Sequence, residues 1–236
     1  MNLITAREVA RVLQLSKWGY IGICIAWCFM RITKLSGINR VYRKTKHLET
    51  SAFLEALLLH YNIKFEYDAE ELKRIPATGP FISISNHPLG GIDGILLMKL
   101  VLDRRNDYKI IANFLLQRIR PLRSYIMAVN PFEQHRDAKS SVIGFKQALL
   151  HLKEGKPLGV FPAGEVSTYK EDKLMVDKPW EEAVIKLIRK AEVPVIPIYF
   201  HARNSRFFYR LSKISPLLRT AKLPSELYSQ KRRPII

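Results

Sequence analysis

The sequence contains only two cysteines, and this scarcity excludes several classes of protein. Cys24 and Cys28 stand four residues apart inside an apolar run, a spacing that fits neither a C-x-x-C redox pair nor a set of zinc ligands. Two thiols cannot supply the disulfide framework of a small secreted domain, and a reducing compartment fits best. The 236 residues are also enough to bury a core without such staples.

Several common functional motifs are missing as well. Neither G-x-x-x-x-G-K-[ST] nor G-x-G-x-x-G occurs, which argues against a P-loop nucleotide-binding protein and a dinucleotide-binding protein. The chain has no G-x-S-x-G elbow for a nucleophilic serine. A helix-turn-helix, an RNP aromatic pattern and zinc spacing are absent too, which argues against a nucleic-acid partner. Without repeats or Gly/Ser linkers, one domain with a helical appendage is the simplest organisation.

Acidic residues are few, and they are almost missing from the two ends. The chain has 39 Lys and Arg against 21 Asp and Glu, for a net charge of +18. Residues 1–46 and 199–236 each carry nine basic residues and one acidic residue. Basic ends of this kind bind nucleic acid, anionic lipid headgroups or an acidic carrier protein, and charge alone does not choose among these.

An apolar run near the N-terminus favours contact with a lipid membrane. Residues 18–30 carry no charge and are flanked by Lys17 and Arg31, but crossing a bilayer needs about 20 apolar residues. Aromatic residues near both ends of the run favour an interfacial helix on an anionic membrane surface. We therefore predict that residues 1–46 form a membrane-associating helical segment at the cytoplasmic face of the inner or plasma membrane. The alternative is a hydrophobic helix that packs on the domain.

The remainder, residues 47–236, alternates short apolar runs with helical patterns, which predicts an α/β fold with a mainly parallel central sheet covered by helices. The last residues, 232–236, resemble the start of another strand, so we expect a truncated chain or a further C-terminal domain. The predicted strands are Ile63–Tyr67, Phe81–Ser85, Lys109–Ala112, Tyr125–Val129, Leu158–Phe161 and Val195–Phe200. The predicted helices are Leu48–Tyr61, Gly94–Leu102, Leu115–Ile119, Ala138–Leu152 and Trp180–Ala191.

A polar, glycine-rich turn, N-H-P-L-G-G-I-D-G, follows the strand that ends at Ser85. Ligands bind beyond the carboxyl ends of the strands in such sheets. His87 and Asp93 on one turn can meet, so that the carboxylate orients the imidazole as a general base. Gly90 and Gly91 let a substrate approach the backbone. The alternative is that Asp93 only caps the following helix.

This turn resembles the His–Asp box of the glycerolipid and lysophospholipid acyltransferases, the superfamily of 1-acylglycerol-3-phosphate acyltransferase. Phe161–Ser167, F-P-A-G-E-V-S, resembles the family block F-P-E-G-T-R-S, and Val193–Ile198 resembles its last apolar block with a proline. The box has one extra residue between His and Asp, and Ala163 and Val166 replace the usual acid and arginine. These variations are similar to the lyso-ornithine lipid acyltransferases and the bacterial proteins called hemolysins, and they imply a different acceptor headgroup.

The resemblance implies that a lysolipid hydroxyl, of a lyso-ornithine, amino-acid or lysophosphatidic type, takes an acyl group from acyl-CoA or acyl-ACP. These thioesters are co-substrates, and no cofactor or metal is expected. His87 is then the general base and Asp93 its orienting partner. A lipid or thioester hydrolase and a non-catalytic membrane-active protein remain alternatives. The predicted substrate-binding residues are Asn86, Gly90, Gly91, Arg136, Phe161, Pro162, Gly164, Glu165 and Ser167.

Overall fold

A parallel five-stranded sheet lies at the centre of the protein, described by a computed structural model that covers residues 2–129, 138–169, 175–229 and 234–236. Its strands are β1 Ile82–Ser85, β2 Lys109–Asn113, β3 Ile126–Val129, β4 Leu158–Val160 and β7 Val195–Ile198, while β5 Thr168–Tyr169 and β6 Met175–Val176 form a separate antiparallel pair. The strand order in the central sheet is β3-β2-β4-β1-β7, and every neighbouring pair is parallel. This confirms the predicted α/β class.

Helices cover both faces of the sheet because successive strand residues point to opposite sides. Ile110 and Ile126 belong to one apolar cluster, and their neighbours Ile111 and Met127 belong to the other. The first cluster includes α4 Thr50–His60 and α6 Gly91–Leu102, and the second includes α7 Ala138–Lys153 and α8 Glu182–Ala191. The other short helices are α5 Ala69–Leu72, α9 Arg206–Ser212 and α10 Pro216–Glu226.

The N-terminal segment is helical, with α1 Ala6–Val12, α2 Gly19–Ile32 and α3 Leu35–Thr45. Gly22, Ala26 and Met30 form the buried stripe of α2, at the four-residue spacing of one helix face. Gly22 is needed there, since a Cβ at this position would lie 2.0 Å from the Leu15 carbonyl oxygen.

Polar contacts hold the N-terminal segment together and tie it to the rest of the chain. The Asn39 amide binds the backbone of Ile4 at both its N–H and its carbonyl. Arg118, just after β2, pairs with Glu8 at 2.6 Å. The boundary at residues 46 and 47 stays a prediction.

The opposite face of α2 is exposed and apolar. Tyr20 is 88% exposed, Ile21 67% and Trp27 52%. Among the described residues, no single helix is long and apolar enough to span a bilayer. The segments Leu15–Ile32 and Leu35–Thr45 meet the length and hydropathy requirements only together, with a bend of 77° between them.

Two predicted elements differ from the structure. Ile63–Tyr67 is not a strand of the central sheet. Within the described ranges it forms a single parallel bridge, between Phe65 and Ile235. The segment 115–119 forms a 3₁₀ helix, Phe114–Arg118, whose first turn is capped by the Asn113 side chain. The pair β5 and β6 and the helices α9 and α10 lie outside the predicted elements.

One close contact fixes the centre of the sheet. Tyr108 is fully buried, and its hydroxyl lies 2.7 Å from the Ser83 hydroxyl of β1. The ring reaches this position across β4, where a Cβ on Gly159 would approach the tyrosine oxygen to 1.8 Å. Only glycine fits at position 159 of β4, because the Tyr108 hydroxyl occupies the space that a side chain would need.

We therefore expect Gly159→Ala to lower the free energy of unfolding by about 1–3 kcal/mol, since the added methyl group overpacks the core. The control is Gly94→Ala in α6, where a Cβ would meet no atom within 4 Å. Chemical denaturation of both variants measures the difference. Equal stability of Gly159→Ala and the wild type would contradict this account.

Candidate active site

The turn between β1 and α6 brings His87 and Asp93 together at the carboxyl edge of the sheet. The Nδ1 atom of His87 lies 3.0 Å from Oδ2 of Asp93, although the oxygen is out of line for a regular hydrogen bond. Apo catalytic contacts are often poorly aligned and tighten on substrate binding. The predicted meeting of these two side chains is confirmed as geometry.

Asp93 is completely buried at the start of α6. Its Oδ2 accepts hydrogen bonds from the backbone N–H groups of Leu89 at 2.8 Å and Gly90 at 3.0 Å. The carboxylate therefore caps the helix and faces the imidazole at the same time, so the capping role does not replace the orienting role. Oδ1 is buried without a hydrogen-bond partner among the described residues.

Burial and local contacts act in opposite directions on the pKa of Asp93. Burial raises the pKa of Asp93, and the contacts with His87, Leu89 and Gly90 oppose that rise. A buried carboxylate that lacks full compensation gains stability when the adjacent imidazole takes a proton. This arrangement is suited to a general base that becomes imidazolium during the reaction.

The His87 ring presents only part of its edge to solvent. The side chain is 19% exposed, and Nδ1 is buried, so the exposed part lies elsewhere on the ring. Phe161, at the end of the neighbouring strand β4, stacks on the imidazole with centroids 4.1 Å apart. The parallel order of β1 and β4 makes this contact possible, because it brings their carboxyl ends side by side.

The backbone of His87 is held by the β4 loop. The N–H of Ser167 donates to the His87 carbonyl at 2.9 Å. Asp177 accepts the Ser167 hydroxyl and, at 3.4 Å, the His87 N–H. Ser167 was predicted to bind substrate. It is 2% exposed, and its contacts hold the backbone of His87 in place.

Two asparagines anchor the ends of the same turn. The amide of Asn86 donates to the Phe200 carbonyl at 3.0 Å and accepts from the Phe200 N–H at 2.7 Å, joining the ends of β1 and β7. Asn204 donates to the Pro88 carbonyl at 3.1 Å, beside the buried hydroxyl of Tyr209. Asn86 was predicted to bind substrate. In the structure its side-chain amide is hydrogen-bonded to the backbone of Phe200.

The two glycines of the turn differ in what they allow. Gly90 has φ +80, and a Cβ there would also press on Leu223 at 3.0 Å and Val166 at 3.3 Å. Gly91 is exposed, and no atom lies within 4 Å of a Cβ built on it. Gly91 thus leaves open space at the start of α6, where a substrate has room to approach.

The loop after β4 begins with a tight turn. Gly164 adopts φ +65, and its N–H donates to the Phe161 carbonyl at 2.9 Å. The Gly164 N–H is therefore already used by the turn, and the predicted contact of Gly164 with substrate stays a prediction. The Pro162 carbonyl accepts the N–H of Glu181 at 2.9 Å, which fastens the loop to the start of α8.

Glu165 projects from this loop and is paired twice. Its Oε2 lies 2.7 Å from Nζ of Lys178 and 3.0 Å from Nη2 of Arg219. Partial burial raises the pKa of Glu165, but the hydrogen bonds and charges of the two cations outweigh it and hold that pKa below its usual range. Glu165 is therefore an ionised member of a mixed-charge cluster.

Sequence reasoning missed four residues that shape the site, namely Asp177, Lys178, Tyr209 and Arg219. Each lies outside the recognised blocks, and no local spacing connects it to His87. Asn204 was noted only as following the last strand. Arg136, a predicted substrate contact, lies outside the described residues.

No group of three or more His, Cys, Asp or Glu side chains that could hold a metal ion occurs in the described part of the chain. A depression of about 490 Å³ lies at the amino ends of the strands, around Arg105 and Gly155, away from His87. The buried Arg105 is engaged there with Asp107 and with backbone carbonyls, so this end of the sheet is structural.

The site thus places an imidazole and a buried carboxylate together at the carboxyl edge of a parallel α/β sheet. The sequence profile of the acyltransferase family matches residues 10–233. The chain therefore belongs to the acyltransferase family, within the lysophospholipid acyltransferase superfamily.

Two characterised relatives align with nearly the whole chain. One is the lyso-glycine lipid O-acyltransferase of Bacteroides thetaiotaomicron, 29% identical over 220 residues that cover 92% of this chain and 77% of that protein. Another is the lyso-glycine lipid O-acyltransferase of Phocaeicola vulgatus, 26% identical over 219 residues that cover 92% and 75% respectively.

We expect Asp93→Ala to lower the free energy of unfolding by about 1–3 kcal/mol, because the N–H groups of Leu89 and Gly90 lose their buried acceptor. Asp93→Asn retains an oxygen for these donors and should cost less. Asp103→Ala, at the exposed end of α6, removes a surface pair with Lys99 and should cost under about 1 kcal/mol. Thermal and urea unfolding of the three variants test this order, which a larger loss in Asp103→Ala would refute.

Proposed function

We propose that the protein is a lipid O-acyltransferase that moves a fatty acyl group from an acyl thioester to the hydroxyl of a lysolipid by general-base catalysis. The observation that carries the proposal is the His87 Nδ1 contact with the buried Asp93 at the carboxyl edge of the sheet. Membership of the acyltransferase family supports the reaction class.

His87 supplies the base. A lipid hydroxyl is far too weak an acid to ionise at neutral pH, so its proton must leave as the new bond forms. Nδ1 faces Asp93 and is buried, which leaves Nε2 as the nitrogen that accepts this proton. The hydroxyl oxygen then bonds to the thioester carbonyl carbon, and the carbonyl oxygen becomes an oxyanion.

The second half of the reaction returns the proton. When the tetrahedral intermediate collapses, the C–S bond breaks and the thiolate leaves with its electron pair. The imidazolium gives its proton to this thiolate, so the products are an ester and a free thiol. Asp93 stabilises the imidazolium while the proton resides on the ring. Cys24 and Cys28 lie on exposed positions of α2, and the scheme uses no enzyme nucleophile.

The acceptor is proposed to be a lyso-glycine lipid. Both relatives are named for transfer to a lyso-glycine lipid, which favours this acceptor over lyso-ornithine or lysophosphatidic types. The donor is proposed to be acyl-CoA or acyl-ACP. Both donors carry negative charge, and the basic ends of the chain favour their approach.

The enzyme is proposed to work at the cytoplasmic face of the membrane that holds its acceptor. The exposed face of α2 carries aromatic and aliphatic side chains beside basic residues, a composition that suits an anionic interface. Arg31 lies 4.8 Å from the ring centroid of Trp27, so charge and aromatic surface are joined on this helix.

We expect His87→Ala to lower the rate of acyl transfer by about 10²–10⁴-fold, because the reaction loses its proton acceptor. Asp93→Asn should also reduce the rate strongly while the fold is kept, since the imidazole loses its negative partner. Transfer of a labelled acyl group to lyso-glycine lipid in membranes measures both, with His60→Ala on the exposed side of α4 as the control. Full activity of both site variants would overturn the assignment.

The same assay separates transfer from hydrolysis. The proposal expects the labelled acyl group in the lysolipid product, and it expects consumption of thioester to rise when acceptor is added. Release of free fatty acid at an equal rate with and without lysolipid would identify a hydrolase instead.

Membrane association has its own test. We expect Ile21→Asp on α2 to weaken co-sedimentation with anionic vesicles about tenfold or more, because it places a charge in the apolar face. Leu59→Asp is the matched control, since Leu59 is 74% exposed on α4 outside this face. Equal loss in the two variants would contradict the role of α2.

A further inference from the structure

A mixed-charge cluster beside His87 is not used by the proton-transfer chemistry. It consists of Glu165, Lys178 and Arg219, and both cations contact the same carboxylate oxygen. The Arg219 side chain is 11% exposed, against 46% for Lys178 and 47% for Glu165. The Arg219 side chain is thus almost completely buried, whereas the lysine and the carboxylate are about half exposed.

The cluster is built into the loops that hold His87. Lys178 directly follows Asp177, which accepts the His87 N–H. Glu165 lies two residues before Ser167, whose N–H donates to the His87 carbonyl. Both charged side chains therefore stand within two residues of a direct contact with the proposed base.

The third member of the cluster, Arg219, belongs to a distant part of the sequence. Arg219 lies on α10, one helical turn before Leu223. Leu223 packs in the same apolar cluster as Val166, and its side chain also lies against Gly90. The helix thereby places its guanidinium next to the turn that carries the His–Asp pair.

The balance of charge in the cluster points to a monoanion. Two cations and one carboxylate leave a net charge of +1, and the lowered pKa of Glu165 keeps it ionised at neutral pH. A phosphate monoester carries about −1.5 to −2 charges at pH 7 and would be repelled by Glu165. A carboxylate matches both the net charge and the forked geometry of an arginine.

We propose that Arg219, with Lys178, binds the carboxylate of the acceptor head group and selects for acceptors that carry one. A glycine linked to the lipid through its nitrogen presents such a carboxylate. Glu165 holds the two cations in place and discriminates against a phosphate. This inference rests on the proposed function, since it assigns the head-group contact of the same acceptor.

The wild-type enzyme supplies the first test. Transfer is measured to lyso-glycine lipid, to its methyl ester and to lysophosphatidic acid. We expect a KM for the free carboxylate about tenfold or more below that for the methyl ester, since charge-assisted hydrogen bonds of this kind are strong. Equal KM values would overturn the head-group inference while leaving acyl transfer intact, and no transfer to any lysolipid would overturn the proposed function itself.

Arg219→Gln tests the residue. We expect its KM for lyso-glycine lipid to rise about tenfold or more, while its KM for the methyl ester and its kcat stay within about twofold. Arg219→Lys keeps the positive charge but loses the two-pronged guanidinium, so its KM for lyso-glycine lipid should lie between those of the wild type and Arg219→Gln. Lys186→Gln is the matched control, because it removes a cation from a glutamate pair on α8.

Glu165→Gln separates carboxylate from phosphate. The net charge of the cluster rises to +2, so we expect the preference for lysophosphatidic acid over lyso-glycine lipid to increase about tenfold. Thermal unfolding of each variant accompanies the kinetics. A parallel loss with charged and esterified acceptors in Arg219→Gln, or an unchanged preference in Glu165→Gln, would overturn the proposal.

Discussion

The site depends on one buried carboxylate. Asp93 closes the turn after β1 by accepting the N–H groups of Leu89 and Gly90, and the same oxygen faces Nδ1 of His87. These contacts offset part of the cost of burying a charged group, and burial still raises the pKa of Asp93. The start of α6 and the position of the carboxylate beside His87 are therefore set by a single side chain.

The parallel sheet supplies the remaining parts of the site. β4 lies directly beside β1, which lets Phe161 stack on the imidazole and lets the following loop bind the His87 backbone. β7 lies on the other side of β1, where Asn86 fastens the two carboxyl ends together. His87 is thus held from both neighbouring strands, and the proposed role as a base requires such precise placement against a substrate.

Acceptor recognition is separated from proton transfer in the proposed mechanism. The His–Asp pair is needed for any hydroxyl, whereas Glu165, Lys178 and Arg219 distinguish the charge of the head group. Separation of this kind lets a family keep one reaction and change its acceptor through the loop after β4 and the helix that packs on it. The replacement of the usual acid and arginine of this loop by Ala163 and Val166 is consistent with a head-group site built from other residues.

The sequence by itself determined the α/β class, the strands of the central sheet and the pairing of His87 with Asp93, because hydrophobic periodicity and a short polar turn are local properties. It misassigned Ile63–Tyr67, which forms only one isolated bridge, to Ile235, in the part of the chain that the structure describes. Only the tertiary structure decided that the Gly164 N–H is spent within its turn and that Arg219 meets Glu165. The contact between Glu165 and Arg219 joins residues 54 positions apart, and its geometry follows from how α10 packs, which no local pattern encodes.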